Sequence, residues 1–389
     1  MLSDKKIPSF LETYAEINLT DLLKNFDLIK KHASKRFSKN NDKIKICSVV
    51  KANAYGHGMI KCSEALVRHG TDYLGTADLN ESLQLRYELL KKKLHPKILC
   101  MGIIPIEKKF LEEVIKSDIE ISVIDYKRAD ILNKIAKNLN TKVKVQIQVD
   151  TGMNRIGVRI DEAYEMIGKL KSLKNLELNG IYSHFASSED HSDAFSNEQK
   201  EKLKKLIREV ELNIQKINIR HIENSGGFLN QGDDFFNMIR PGITLYGYYP
   251  DIKKLKKDVG LIPVMTLKSK VEFIKKVLKK ESVSYGRKYF FKEDRFVGSI
   301  PIGYGDGYPR GLSNNSKVMI NKKLYDIRGV VCMDWIMADL GKATKVKEGD
   351  EVIIFGKGFP VYFKSEAIGT IPYEITSMIT PRVKRVYIS

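Results

Sequence analysis

The chain has 389 residues, of which 42% are hydrophobic and 30% charged, with a formal net charge of +19. That length exceeds what one compact core usually holds, so two domains are expected. No apolar run reaches the length of a membrane span. The lysines are spread along amphipathic segments such as 200–205 and 275–280, with no aromatic-interleaved basic module, which argues against nucleic acid; the charge still favours an anionic small molecule. Met1 to Phe10 lacks the apolar core of a secretory signal, so a cytoplasmic protein is expected. Cys47, Cys62, Cys100 and Cys332 have neither paired nor metal-ligand spacing, which predicts reduced core thiols and no metal site.

In chain order, Tyr14 to Leu19 reads as a short extended piece, and Thr20 as the N-cap of an amphipathic helix over DLLKNFDLIKKH. The stretch KIKICSVVKANAYGHG (43–58) then reads as a buried strand that delivers Lys51 to a glycine-punctuated turn. Further strand-like runs follow at 72–77, 97–102, 119–125, 143–150, 178–185, 220–225 and 237–247, with helical patterns between most of them. Eight strands alternating with helices over about 250 residues predict a (β/α)8 TIM barrel at 14–250. After Pro250 the charged stretch DIKKLKKDVG reads as a linker. Beyond it, alternating and β-branched runs predict a mainly β C-terminal domain over 251–389, with little helix before 363–368 and with 1–13 packing against it.

A lysine at the C-terminal end of a buried strand sits where barrels keep their chemistry, and desolvation there favours its neutral form, able to form a Schiff base with an aldehyde. The segment VVKANAYGHG resembles the pyridoxal-phosphate lysine segment of the alanine racemases. The resemblance continues in order through VDTGMNRIG (149–157), YSHFA (182–186), HIENS (221–225), IRPGITLYG (239–247), VSYGRKY (283–289), PIGYGDGYPR (301–310), VCMD (331–334) and PYEITSMITPRV (372–383). Such an ordered set, spanning nearly the whole chain, is far more specific than any one motif.

The resemblance implies a cofactor, pyridoxal 5'-phosphate, carried by Lys51, with Tyr55 in its pocket. Barrel phosphate sites commonly follow strands seven and eight. Ser225, the backbone of Gly242 and Ile243, and Tyr373 match the family's phosphate-binding positions. Arg240 matches the arginine at the pyridine nitrogen; a permanent cation there disfavours ring protonation and suits the return of a proton to the same carbon. His184 would hold Arg240 in place; taken alone it reads as a core histidine, and with His191 it makes no metal site, because a third ligand with sensible spacing is missing. Arg155 matches the arginine near the substrate carboxylate. Gln148 stands where many members carry a carbamylated lysine that pairs with this arginine, so an anion such as chloride, or a direct amide hydrogen bond, would have to take that place.

Racemisation needs a base on each face of a planar carbanion. The resemblance assigns the second base to Tyr285, brought by the other subunit of a homodimer together with Tyr304, Met333 and Asp334 at the substrate end. The expected activity is interconversion of L- and D-alanine, supplying D-alanine for peptidoglycan. Alternatives are a racemase of serine or a broader amino-acid range, and a barrel-type decarboxylase. The latter presents a carboxylate to the pyridine nitrogen, where this chain has Arg240. Single-domain barrels that only bind the cofactor lack a second domain and hence any counterpart of Tyr285.

Overall fold

The computed structural model describes residues 12–35, 44–105 and 108–389; what the sequence suggests for 1–11 and 36–43 lies outside the described residues. The described residues begin with β1 (Tyr14–Asn18) and α1 (Leu19–Ser34). The chain then runs through β2 (Lys45–Val49), α2 (Lys51–Tyr55), α3 (Met59–His69), β3 (Tyr73–Thr76), α4 (Leu79–Leu90), β4 (Lys97–Cys100), α5 (Lys108–Lys116), β5 (Ile119–Val123) and α6 (Tyr126–Asn138). Next come β6 (Val143–Asp150), β7 (Val158–Arg159), α7 (Ile160–Leu170), β8 (Leu176–Tyr182), α8 (Ala194–Asn213), β9 (Ile219–His221), α9 (Ser225–Asn230) and β10 (Met238–Ile239).

Eight of these strands pair in parallel in the order β10-β2-β3-β4-β5-β6-β8-β9, and short β7 flanks β6. The remaining seam is stitched by two backbone bonds, Asn237 N to Arg220 O (3.0 Å) and Arg240 N to Glu223 O (2.8 Å), so the expected (β/α)8 barrel is nearly closed. The alternation of VKVQIQVD shows how β6 is built. Val143, Val145, Ile147 and Val149 join the core under the helices, while Gln146 and Gln148 turn into the barrel. Each such aliphatic burial contributes roughly 1.5–3 kcal/mol. Helices start on side-chain caps: Asp78 accepts from Glu81 N, Asp125 from Arg128 N and Asp193 from Ser196 N.

Three sequence readings shift. The cap of α1 is Asn18, not Thr20: Asn18 Oδ1 accepts from Asp21 N (2.9 Å) as the chain leaves β1. The run at 220–225 is strand only to His221, because Asn224 caps α9 and Ser225 already lies in that helix. The run at 237–247 is strand only at Met238–Ile239; Pro241 has no N–H for the ladder, Ser225 Oγ accepts from Gly242 N (2.9 Å), and Ile243–Tyr246 coils into a 3-10 turn.

The C-terminal domain contains β11 (Met265–Lys270), β12 (Phe273–Val277), β13 (Arg295–Ile300), β14 (Lys317–Ile320), β15 (Lys323–Asp326), β16 (Ile336–Gly341), β17 (Glu351–Phe355), α10 (Tyr362–Ala367), α11 (Pro372–Ser377) and β18 (Lys384–Ile388). One sheet has the order β15-β14-β17-β11-β1-β18 and a smaller one β12-β13-β16, so the mainly β character holds. β1, which precedes the barrel in sequence, pairs antiparallel with β11 and parallel with β18. The described residues thus start in the C-terminal domain's sheet before the chain enters the barrel. Its end returns to the barrel mouth: Arg385 Nε donates to Gly56 O (2.9 Å), and a Cβ on Gly56 would fall 2.0 Å from Thr376 O of α11.

Candidate active site

A cavity of about 300 Å³ opens at the C-terminal mouth of the barrel. Lys51, Tyr55, Gln148, Arg155, His184, Ser225, Arg240, Gly242 and Tyr373 all line it. The cavity wall carries three cationic side chains, Lys51, Arg155 and Arg240, and among the described lining residues no carboxylate. Burial, aided by Arg155, holds the Lys51 ammonium below its usual pKa, toward the neutral amine.

Lys51 opens the expected turn, whose left-handed conformation the sequence did not reveal. Ala52, Asn53, Ala54 and Tyr55 have φ of 50°, 54°, 55° and 52°, a left-handed helical turn built without glycine. Such a conformation costs on the order of 1 kcal/mol per residue, so neighbours must impose it. Glu81 Oε1 accepts from Ala52 N (2.6 Å), and Asn53 Oδ1 accepts from Met59 N (2.9 Å). His57 Nδ1 donates to Tyr55 O (2.9 Å), and burial depresses that imidazole to a pKa of about 4. Arg385 then holds the far end from the other domain. The turn swings the Tyr55 ring toward Tyr246 and Tyr373, with centroids 5.2 and 5.8 Å away. Gly242 is required beneath it, since a Cβ there would lie 2.3 Å from Tyr55 Oη.

The end of the cavity beside α9 is lined by neutral groups. Ser225 Oγ lies 2.9 Å from Gly242 N and 3.1 Å from Thr244 Oγ1, and the half-buried Tyr373 lines the same cavity. Ile243 stands fully buried behind Gly242 at the start of the 3-10 turn. The opposite end is organised by Arg240, which is 2% exposed. Its Nη2 donates to Ser183 O (2.9 Å) and Ile222 O (3.1 Å) and lies 3.2 Å from His184 Nδ1, and its guanidinium sits 5.2 Å over the Tyr182 ring. Its Nη1 bonds Nδ1 of His221, a partner that the sequence reading passed over. Only the recurrence of two histidines in the segments YSHFA and HIENS hinted at it. Burial and the adjacent guanidinium keep both imidazoles far below the usual pKa, hence neutral acceptors for Arg240.

Gln148 does not touch Arg155. It accepts from Tyr182 OH (2.9 Å) and donates to Ile156 O (3.1 Å), holding by its backbone the loop that carries the exposed Arg155. His191 lies on the surface with Nδ1 3.3 Å from Lys254 O. Cys47, Cys62, Cys100 and Cys332 are free thiols, the first three buried.

Tyr285, Tyr304, Met333 and Asp334 do not line this cavity. They form a separate cluster on the C-terminal domain. Ser284 Oγ donates to Val330 O (2.5 Å), Tyr304 N to Cys332 O (3.0 Å) and Gly305 N to Met333 O (2.9 Å), which ties their three loops together. A Cβ on Gly303 would come within 2.3 Å of the Cys332 and Met333 carbonyls, so the approach depends on that glycine. Tyr285 is 69% exposed, Met333 52% and Tyr304 44%. Asp334 is paired with Arg382 (2.8 Å).

A nearly closed (β/α)8 barrel with a desolvated lysine, two arginines and a hydroxyl-lined pocket at its C-terminal mouth defines an enzyme for a small anionic ligand. Residues 17–250 match the family model "Alanine racemase, N-terminal domain", and residues 264–387 match "Alanine racemase, C-terminal domain". The chain belongs to the alanine racemase family and is an isomerase of that class. It is 38% identical to the alanine racemase of Clostridium kluyveri over 380 residues (96% of this chain, 94% of that one). It is also 38% identical to that of Treponema denticola over 386 residues (97% and 98%). The alanine racemase of Clostridium difficile 630 superposes with a TM-score of 0.90 at 36% identity, covering 98% of this chain and 96% of that one. That of Bartonella henselae, solved with covalently bound pyridoxal phosphate, gives 0.85 at 28% identity, covering 97% and 100%.

Proposed function

We propose that this chain interconverts L- and D-alanine with pyridoxal 5'-phosphate carried on Lys51 and with Tyr285 of the partner subunit as the second base of a two-fold homodimer. The observation that carries the reading is the cavity itself: three cations and no lining carboxylate, with a guanidinium buried at one end and hydroxyls at the other. That donor set fits the cofactor, a phosphate against Ser225, Tyr373, Tyr55 and the backbone of Gly242 and Ile243, and a ring nitrogen against Arg240. When bound, the cofactor supplies an aldehyde for amine exchange and a conjugated ring that takes up charge from Cα. Lys51, whose charged form burial disfavours, exchanges the Cα proton on one face and the partner's Tyr285 exchanges it on the other, so removal on one face and return on the opposite face inverts Cα. Arg240, a fixed cation held by neutral imidazoles, keeps a second proton off the ring nitrogen, so the charge stays near Cα. Arg155 faces the substrate carboxylate.

Tyr285 does not line its own chain's cavity and is exposed, as expected if it serves the neighbouring subunit. Tyr304, Met333 and Asp334 travel with it to the substrate end. In this reading residues 14–250 are the cofactor-binding domain and 251–389 the domain that completes the partner's site. No helix among the described residues is long and apolar enough to cross a membrane; we place the enzyme in the cytoplasm, making D-alanine for peptidoglycan. The test is deuterium wash-in at Cα across a panel of amino acids, with borohydride trapping of the cofactor. Exchange fastest with alanine and a label on Lys51 are expected. Loss of CO2, or a label on another lysine, would overturn the reading.

A further inference from the structure

Beneath Arg240 a column of buried polar side chains crosses the barrel interior to its other end. His221 Nε2 lies 2.5 Å from Gln146 Oε1, and Gln146 Nε2 donates to Glu120 Oε1 (2.9 Å). Asn179 Nδ2 donates to the same oxygen (2.7 Å) and lies 3.3 Å from the Tyr73 hydroxyl. Glu120, Gln146, Asn179 and His221 are all buried. Beside the column an apolar cluster packs Cys47, Leu99, Ile219 and Met238 against Tyr73. Glu120 sits at the N-terminal mouth, in a cavity of about 600 Å³ that it lines with Lys45, Lys97, Lys144 and Asn179.

Both ends of the column have a fixed hydrogen-bonding sense. Glu120 Oε1, which takes the N–H groups of both Gln146 and Asn179, is an acceptor in either protonation state of the carboxyl, and a guanidinium only donates. Between them stand an amide and an imidazole, each able to face either way. With Glu120 taking the amide N–H, Gln146 must turn its oxygen to His221. His221 must then carry its proton on Nε2, which leaves the Nδ1 lone pair for Arg240. Tyr182 stacks on the imidazole at 4.5 Å with an interplanar angle of 11° and holds it in that plane.

We propose that Glu120 is a positioning residue for the active site: through Gln146 it sets the tautomer of His221 and so the hydrogen bonds that hold Arg240 toward the ring-nitrogen position. Its kinetic consequence rests on the racemase reading given above; its tautomer consequence does not. In Glu120→Leu the Gln146 amide loses its acceptor and rotates its N–H toward His221, whose proton moves to Nδ1 and opposes Arg240 donor to donor. Glu120→Gln still offers an oxygen to Gln146 and Asn179 and preserves the column.

The experiment is 15N NMR of the histidine rings in full-length protein, with and without pyridoxal phosphate, His221 being assigned by its loss in His221→Asn. The wild type should show Nε2–H at His221, Glu120→Leu should populate Nδ1–H, and Glu120→Gln should retain the wild-type signal. In steady-state assays with alanine, kcat should fall about tenfold in Glu120→Leu with KM within about twofold, and Glu120→Gln should stay within about threefold of wild type. Should Glu120→Leu not fold, Gln146→Met cuts the column one link higher and should also free the tautomer. An unchanged Nε2–H in the severed variant, an undiminished kcat, or a Gln variant as impaired as the Leu variant would each overturn the proposal. If the racemase reading alone fails, no variant racemises alanine while the tautomer pattern persists.

Discussion

The barrel's site residues and those of the C-terminal domain are built to different degrees by one chain. Lys51, His184 and Arg240 converge on one cavity, desolvated and fixed by bonds from several strands. Tyr285, Tyr304 and Met333 are positioned relative to one another by backbone bonds yet face solvent, and Asp334 is matched to Arg382. Even so, Tyr373 and Arg385 from that same domain reach its own chain's barrel mouth. The contrast teaches that the C-terminal domain has one face committed in cis and another that is ordered but unfinished. That is the arrangement the proposed homodimer requires, in which the second face completes the partner's site.

The largest effect tests that division directly. Lys51→Ala and Tyr285→Phe should each lose at least about 10³-fold in racemase activity, since each removes one of the two proposed bases. Tyr285→Phe should leave the Tm unchanged, because an exposed hydroxyl contributes little to folding. Mixing the two variants with subunit exchange gives heterodimers with one intact site in two, so about a quarter of wild-type activity should return. Heterodimers confirmed by mass spectrometry but inactive would mean that both residues serve one chain's cavity.

Next in size is Arg240→Glu, which replaces the buried guanidinium between two imidazoles with a carboxylate. Racemisation should drop about 10²-fold, and incubation with alanine should accumulate pyruvate and the amino form of the cofactor, as the ring nitrogen becomes protonated. A variant that keeps its rate and makes no pyruvate would remove Arg240 from the electronics of the site.

Gly242→Ala sharpens the barrel half alone. The new methyl meets Tyr55 Oη at 2.3 Å, so the tyrosine must move, and cofactor affinity should weaken about tenfold with a stability loss of about 1–3 kcal/mol. Fluorescence titration with pyridoxal phosphate reads the first and thermal melting the second. Unchanged affinity would show that Tyr55 and Gly242 do not hold the phosphate.

The smallest effect on activity concerns pH and falls on stability. His57 has a folded pKa of about 4 against an ordinary 6.5, because burial disfavours its cation. A depressed folded pKa means that the unfolded chain binds the proton more readily. The His57 contribution, about 3 kcal/mol, is therefore complete above pH 6.5 and is lost as pH falls toward 4. His184 and His221, depressed in the same sense, add to that acid limb. In urea titrations His57→Gln should be less stable than wild type near pH 7 yet lose less stability on acidification to pH 4.5. Parallel pH profiles for the two proteins would contradict the assignment.

What the sequence determined by itself follows from periodicity and order. Alternation in runs such as VKVQIQVD and the spacing of helices between them specified the barrel, because side-chain period dictates which face is buried. The ordered motifs placed Lys51, Arg240 and Ser225, since chemistry tied to a strand end moves with the strand. Tertiary structure alone decided the rest, where long-range contacts outweigh local preference. The left-handed turn after Lys51 exists because Glu81, Asn53 and Arg385 hold ordinary residues where only glycine would go unaided. The strand at 237–247 stops after two residues because Ser225, 17 positions earlier, takes the N–H of Gly242. β1 joins a sheet whose other members lie some 250 to 370 residues away. His221 gained its place at Arg240, and Glu120 its place beneath it, only when the barrel closed and brought β5, β6, β9 and β10 around one interior. Hydrogen-bond partners in that interior come from strands far apart in sequence, and no local pattern encodes such pairings.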